Sequence, residues 1–181
     1  MTALVRCGWV SSAPEYIAYH DEEWGRPVEG DDRVFERLTL EAFQSGLSWI
    51  TILRKRENFR SAFAGFSIPA VAAFDQDDVD RLLADPGIVR NRAKIEAAIS
   101  NARAALGVGL SDLVWRHADP GSPAPASGAD VPALTPGSVA LAKELKKNGF
   151  RFVGPTTAYA LMQAIGLVND HVADCWVRDR V

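Results

Sequence analysis

The sequence predicts an all-α fold, and three observations carry that expectation. Apolar residues recur at helical spacing along almost the whole chain. No stretch joins sustained alternation to β-branched enrichment, as a half-buried strand requires. Gly, Pro, Asp and Ser fall where helices start and stop. With 181 residues, the chain can bury a sizeable core as one domain or two small lobes.

The elements follow in order. PEYIAYHDEEWG reads as a short helix with Pro14 at its start and Gly25 at its end. DDRVFERLTLEAFQSGLSW reads as a second, capped by Asp31 or Asp32, with Val34, Leu38 and Glu41 on one stripe. In WITILRKRENFRSAF, Ile52, Phe59 and Phe63 share a face, leaving Arg54, Lys55, Arg56 and Arg60 mostly outside it. DQDDVDRLLADPG is a capped short helix, RNRAKIEAAISNARAALG a longer one, and SDLVWRHA a further turn or two. The proline-rich stretch 119–137 is the one linker-like segment, a surface loop between lobes.

The segment 138–166 is the most informative. Ser138 is placed to cap a helix running to Lys147 or Asn148, with Gly149 as its left-handed stop. Pro155, after Gly154, suits the first position of a second helix ending at Gly166. A tight connection, GFRFVG, joins the two, giving helix, hairpin, helix. Free backbone N–H groups at Gly154 and the helix dipole favour an anion there, with Lys143, Lys146, Lys147 and Arg151 nearby. Spacing alone allows either a clamp on a DNA phosphate or an ordinary αα-corner with a solvated basic face.

Four scarce residues suggest a metal. His171 and Cys175 stand four apart and share one face of a helical turn. Cys7 and His20 complete two thiolates and two imidazoles, the ligand set of a closed, structural tetrahedral zinc site. The spacing is not that of a zinc finger, and two buried thiols with two satisfied histidines fit it as well. His117 has no such companions and reads as a surface residue. Glu41 is a carboxylate on an apolar stripe, and burying it alone is costly. Trp49 follows two turns later, and Trp9, Tyr16 and Tyr19 crowd the N-terminal segment. Flat rings with one carboxylate suit a nucleobase pocket, although each aromatic taken singly is more often core.

Composition sets limits. No run of about 18 apolar residues is available to span a membrane. The first ten residues have no secretory apolar region. Two cysteines do not make a disulfide framework, which points to the reducing cytoplasm. A net charge of −3 argues mildly against nonspecific nucleic-acid binding but leaves room for a local basic face, such as the hairpin and RKRENFR.

Together, RCGWV, YIAYHDEEWG, LEAFQSGLSWITILRKRENF, GIVRNRAKIEAAISNARA and LKKNGFRFVGPTTAYALMQAIGLVNDHV, with the Cys four residues after that His, resemble the DNA-3-methyladenine glycosylase I family. These stretches cover most of the chain outside 119–137. The resemblance implies a two-lobed helix-hairpin-helix DNA glycosylase fold, with a zinc site joining the N- and C-terminal segments. It implies one structural Zn2+ on Cys7, His20, His171 and Cys175. It further implies base contacts from Glu41, Tyr19 and Trp49, with Trp9 and Tyr16 lining the pocket. Gly149, Arg151, Gly154, Thr156 and Lys147 then fall on the DNA backbone.

The implied activity is flipping and hydrolytic excision of 3-methyladenine from alkylated double-stranded DNA, by a monomer without small-molecule cofactor. Related lyases carry a Lys just after the hairpin glycine. Here Pro155, Thr156 and Thr157 stand there instead, so a monofunctional hydrolase is expected. Asp170 lies near the position where the superfamily places a catalytic Asp, and a helix-capping or outer-sphere role competes with catalysis. A noncatalytic zinc-stapled module that binds damaged DNA or a protein partner is the alternative.

Overall fold

The computed structural model describes residues 4–181, and among them every regular element is helical. Nine α-helices run α1 Pro14–Glu22, α2 Asp31–Gln44, α3 Trp49–Ala62, α4 Ile68–Ala72, α5 Gln76–Ala84, α6 Arg92–Ala105, α7 Leu110–Trp115, α8 Pro136–Lys147 and α9 Pro155–Ala164. Short 3-10 turns lie at Ala64–Phe66, Gly128–Asp130 and Arg178–Arg180.

Local chemistry explains the boundaries. Asp75 accepts from the N–H groups of Asp77 and Asp78 to start α5, and Asn91 accepts from Lys94 N–H to start α6. Asp31 and Asp32 are not caps of α2, since Gly30 holds that position. Their carboxylates reach outward instead, Asp31 to Ser111 N–H at 2.7 Å and Asp32 to Ile68 N–H at 2.9 Å. Each satisfies a free donor at the start of another helix and so ties α2 to α7 and α4. Ser138 is likewise not the cap of α8. Thr135 caps it, and Ser138 stands three residues in, its side chain accepting from Thr135 N–H to close a capping box. Pro136, at the first helical position, starts the helix three residues earlier than a cap at Ser138 would.

The central α2 packs against α3, α6, α7 and α9, and its buried face includes Val34, Phe35, Leu38 and Phe43. A ladder of rings runs from Phe43 to Phe59 at 4.9 Å and from Phe63 to Phe66 at 5.7 Å. Each fully buried ring contributes roughly 2 kcal/mol of transfer free energy. The helices α8 and α9 pack on each other, and α9 also packs on α2. Gly149, at φ 91°, turns the chain out of α8. Buried Asn101 then fixes the hairpin, donating to Arg151 O at 2.9 Å and accepting from Arg151 N–H at 2.7 Å.

The segment after α9 closes against the segment after α1. Gly166 sits at φ 83°, and a Cβ there would lie 2.8 Å from Gly25 O. Gly25 N–H in turn donates to Ala164 O at 3.2 Å. This backbone-to-backbone contact lets the N-terminal segment reach the C-terminal one. The stretch 119–137 is anchored rather than loose. Asp119 N–H donates to Leu167 O, Ala173 N–H donates to Pro125 O, and Ser127 with Asp130 forms a capping box.

Candidate base pocket and metal centre

Cys7, His20, His171 and Cys175 are all buried, and one ligand atom from each lies within 4.8 Å of the others. Cys175 Sγ is 3.5 Å from both His20 Nε2 and His171 Nδ1, and Cys7 Sγ is 3.6 Å from His171 Nδ1. A tetrahedral ion with bonds of about 2.3 Å to sulfur and about 2.0 Å to nitrogen sets such pairs roughly 3.5 Å apart. The remaining imidazole nitrogens are also assigned. His20 Nδ1 is 2.8 Å from Asp21 Oδ1, and His171 Nε2 is 3.0 Å from Trp24 O. Each His therefore keeps one lone pair for the ion while its other nitrogen donates outward, as metal-bound imidazoles do.

Electrostatics agree with that donor set. Burial pushes both imidazoles below the ordinary histidine range, His171 to about 4, so both are neutral ligands at physiological pH. Burial pushes Asp21 upward, but the Arg6 fork and the His20 N–H outweigh it and hold the carboxyl near about 2. Burial next to Cys175 drives the Cys7 thiol up to about 12, and a bound divalent cation reverses that direction. With four protein ligands the centre is closed, so the chemistry such an ion supplies is structural: it joins the two chain ends.

Rings pack edge-to-face against this centre. Trp24 meets His171 at 4.7 Å, and Trp9 meets Trp24 at 5.1 Å and Tyr16 at 5.7 Å. Tyr19 meets Trp49 at 5.4 Å. Tyr16 Oη accepts from Ile50 N–H at 3.1 Å, which fixes the start of α3 and with it Trp49. These rings line a cavity of about 500 Å3, open on one side, to which α2 contributes Glu41 and Gln44 and α9 contributes Thr156, Tyr159, Ala160 and Gln163. The expected pocket residues Trp9, Tyr16, Tyr19, Glu41 and Trp49 thus come together, and Asp170, a candidate for catalysis, lines the same cavity.

Two buried polar groups of cavity-lining residues have no protein partner among the described residues. Glu41 is 7% exposed, and no group among the described residues hydrogen-bonds its carboxyl. Burial raises its pKa to about 8, against a partial lowering by Arg37. The buried Trp49 Nε1–H is equally unpartnered among the described residues. Burial, with Glu41 beside it, also keeps the Tyr19 phenol protonated well beyond its usual range. An unpaired carboxyl among flat rings suits a planar ligand with a polar edge.

Asp170 is neither a helix cap nor a partner of the metal ligands. It lies at 6% exposure in the cavity wall, where its Oδ2 accepts from Tyr159 Oη–H and from Gln163 Nε2–H at 2.9 Å. Tyr159 and Gln163 were not singled out from the sequence, although they lie four apart on one face of α9. Gly128, Val131, Pro132 and Ala133 also enter the wall, so the supposed linker is part of the site.

The expected backbone-contact residues lie together at the hairpin. Lys147, Gly149, Arg151, Gly154 and Thr156 are exposed, and no side chain caps α9 at Gly154. RKRENFR is different, because its arginines are paired: Arg54 with Glu15, Arg56 with Glu23, and Arg60 with Glu36 and Glu57. That stretch therefore carries little free positive field. His117 is not a lone surface residue either, since its Nε2 meets Glu144 at 2.6 Å and joins α7 to α8. An exposed apolar side chain follows Gln44, which lines the cavity. Leu47 is 38% exposed in the α2–α3 turn, where Gln44 Nε2–H donates to Leu47 O at 2.6 Å and Lys94 grips the carbonyls of Phe43 and Ser45.

Fold and cavity together define the helix-hairpin-helix DNA glycosylase class. Within it, the methyladenine glycosylase family model matches residues 9–179, and the chain belongs to that family. It is 50% identical to DNA-3-methyladenine glycosylase 1 of Escherichia coli over 179 residues, covering 95% of this chain and 96% of that protein. A crystal structure of 3-methyladenine DNA glycosylase I is 51% identical and superposes with a TM-score of 0.92, over 95% of this chain and 98% of the other. A further 3-methyladenine DNA glycosylase I, crystallised in complex with 3-methyladenine, matches at 33% identity and TM-score 0.91, over 96% and 97%.

Proposed function

We propose that this chain excises 3-methyladenine from alkylated double-stranded DNA by hydrolysis, without a lyase step. The observation that carries this reading is Glu41, a buried carboxyl without a protein partner among the described residues, lining a cavity walled by Trp and Tyr rings. Methylation at N3 makes the adenine cationic. A cation stacks favourably on electron-rich rings, and an anion at its edge selects it over neutral purines. The damaged nucleotide leaves the helix stack more readily than a sound one. Leu47, braced on its turn, is our choice to fill the space it leaves.

The chemistry needs little acid. As the glycosidic bond breaks, its electron pair moves onto the base and neutralises it, while C1′ takes up cationic character. Water then adds at C1′ and loses a proton. Charge thus passes from base to sugar, so Glu41 acts mainly in selecting the lesion. Asp170 suits the sugar side, since Tyr159 and Gln163 both hold Oδ2 and no described residue holds Oδ1. No lysine follows the hairpin glycine to trap the sugar covalently.

Backbone N–H groups at the start of α9, with Lys147 and Arg151, are proposed to grip a phosphate. The four-residue cluster is proposed to hold one structural Zn2+ in an enzyme that works as a cytoplasmic monomer. The test is incubation with methylated duplex DNA and chromatography of the released bases. Free 3-methyladenine without 7-methylguanine or adenine, and with the strand uncut, is the expected result. Release of no base refutes the reading.

A further inference from the structure

Arg37 stands one helical turn before Glu41 on α2, yet its guanidinium does not bond Glu41. It is drawn away, with Nη2 3.3 Å from Glu23 Oε2 and Nη1 3.8 Å from Glu36 Oε1. Glu23 is also held by both arms of Arg56, at 2.7 and 2.8 Å. Glu23 closes the C-terminal end of α1, which carries Tyr19, while Arg37 belongs to the helix of Glu41 and Arg56 to the helix that begins with Trp49. One part-buried ionic knot therefore joins the three elements that form the aromatic side of the cavity.

We propose that Arg37 is a positioning and specificity-determining residue: diverted onto Glu23, it supplies enough positive field to let Glu41 ionise when a cationic base arrives, but leaves the carboxylate unpaired so that the base can take it. Were Arg37 free to pair with Glu41, the anion would be neutralised in advance and selection of a cation over a neutral base would weaken. Were Arg37 absent, Glu23 would keep Arg56 and Glu36 would keep Arg60, but Glu41 would lose the cation one helical turn away and hold its proton more tightly. Other ionisable groups around Glu41 leave Arg37 as its main cationic influence. Tyr19 on α1 stays protonated, Tyr159 on α9 is bound to Asp170, and Lys94 from α6 is committed to the carbonyls of Phe43 and Ser45.

This inference rests on the proposed selection of a cationic base, but its first readout needs no substrate. The titration midpoint of Glu41 is measured by the 13C shift of its carboxyl carbon in zinc-loaded wild type, Arg37→Met, Arg37→Lys and Glu23→Gln. Arg37→Met is expected to raise the midpoint by a pH unit or more, Arg37→Lys to restore most of it, and Glu23→Gln to lower it. The pH dependence of 3-methyladenine release from methylated duplex DNA should move the same way in each variant. A purely structural knot would lower release at every pH and leave the midpoints alone, and equal midpoints in wild type and Arg37→Met overturn the proposal. Should Arg37→Met not fold, a midpoint that stays or rises in Glu23→Gln overturns it independently. Midpoints that move while no base is released by wild type would refute the proposed activity and leave the electrostatic assignment standing.

Discussion

Replacing Glu41 by Gln should stabilise the fold, by an amount that depends on pH in a calculable way. Burial raises Glu41 from the ordinary 4.5 to about 8 in the native state. Between those values the folded chain holds a proton that the unfolded chain has released. The contribution is therefore fully present below pH 4.5, is lost as pH rises towards 8, and is flat above. Each pH unit in that window costs about 1.4 kcal/mol, so up to about 5 kcal/mol separates the two plateaus. Gln carries no such cost. Urea unfolding of zinc-saturated wild type and Glu41→Gln, followed from pH 6 to pH 9, is the assay. The stability difference should move in favour of Gln by roughly 2–3 kcal/mol between pH 6 and 8 and then level off, with unchanged m values. A difference constant across that range would refute the buried, partnerless carboxylate on which the account of selectivity rests.

Further outcomes follow from other parts of the structure. Removing the ion with a chelator, or substituting Cys175→Ser, should lower the unfolding midpoint sharply and loosen Trp9 and Trp24, visible as a change in tryptophan fluorescence; unchanged stability after metal loss would contradict the clasp. Gly166→Ala must accommodate both a φ of 83° and a Cβ 2.8 Å from Gly25 O, so calorimetry should show a loss of about 2–4 kcal/mol. Leu47→Ala should leave the thermal midpoint within a degree or two and reduce single-turnover base release about tenfold, the scale of one lost apolar wedge. Asp170→Asn should lower the rate at saturation while leaving half-saturation by methylated DNA near the wild-type value.

Much of this was legible in the chain. Residues scarce in number were the easiest to place, because two thiols and two imidazoles leave few ways to build a four-ligand site. Glu41 was legible because a carboxylate on an apolar stripe is conspicuous. Most of what escaped shares a physical cause, namely partners outside the residue's own helix pattern. Asp31 and Asp32 look like caps of their own helix, yet they serve Ser111 and Ile68. Arg56 and Arg60 read as a basic surface until Glu23 and Glu36 are brought beside them. Tyr159 and Gln163 sit in a mostly apolar helix with nothing local to reveal that both converge on Asp170. Thr135 was hidden by the prolines around it, which suggested a linker where two capping boxes in fact hold the chain still.

The central claim, that Glu41 selects the lesion by charge, is tested most directly by single-turnover release of 3-methyladenine from methylated duplex DNA with wild type and Glu41→Gln, varying enzyme concentration at pH 7.5. The expected result is a tenfold or larger increase in the enzyme concentration needed for half-saturation, with a smaller change in the rate at saturation. Identical half-saturation in the two proteins would contradict it.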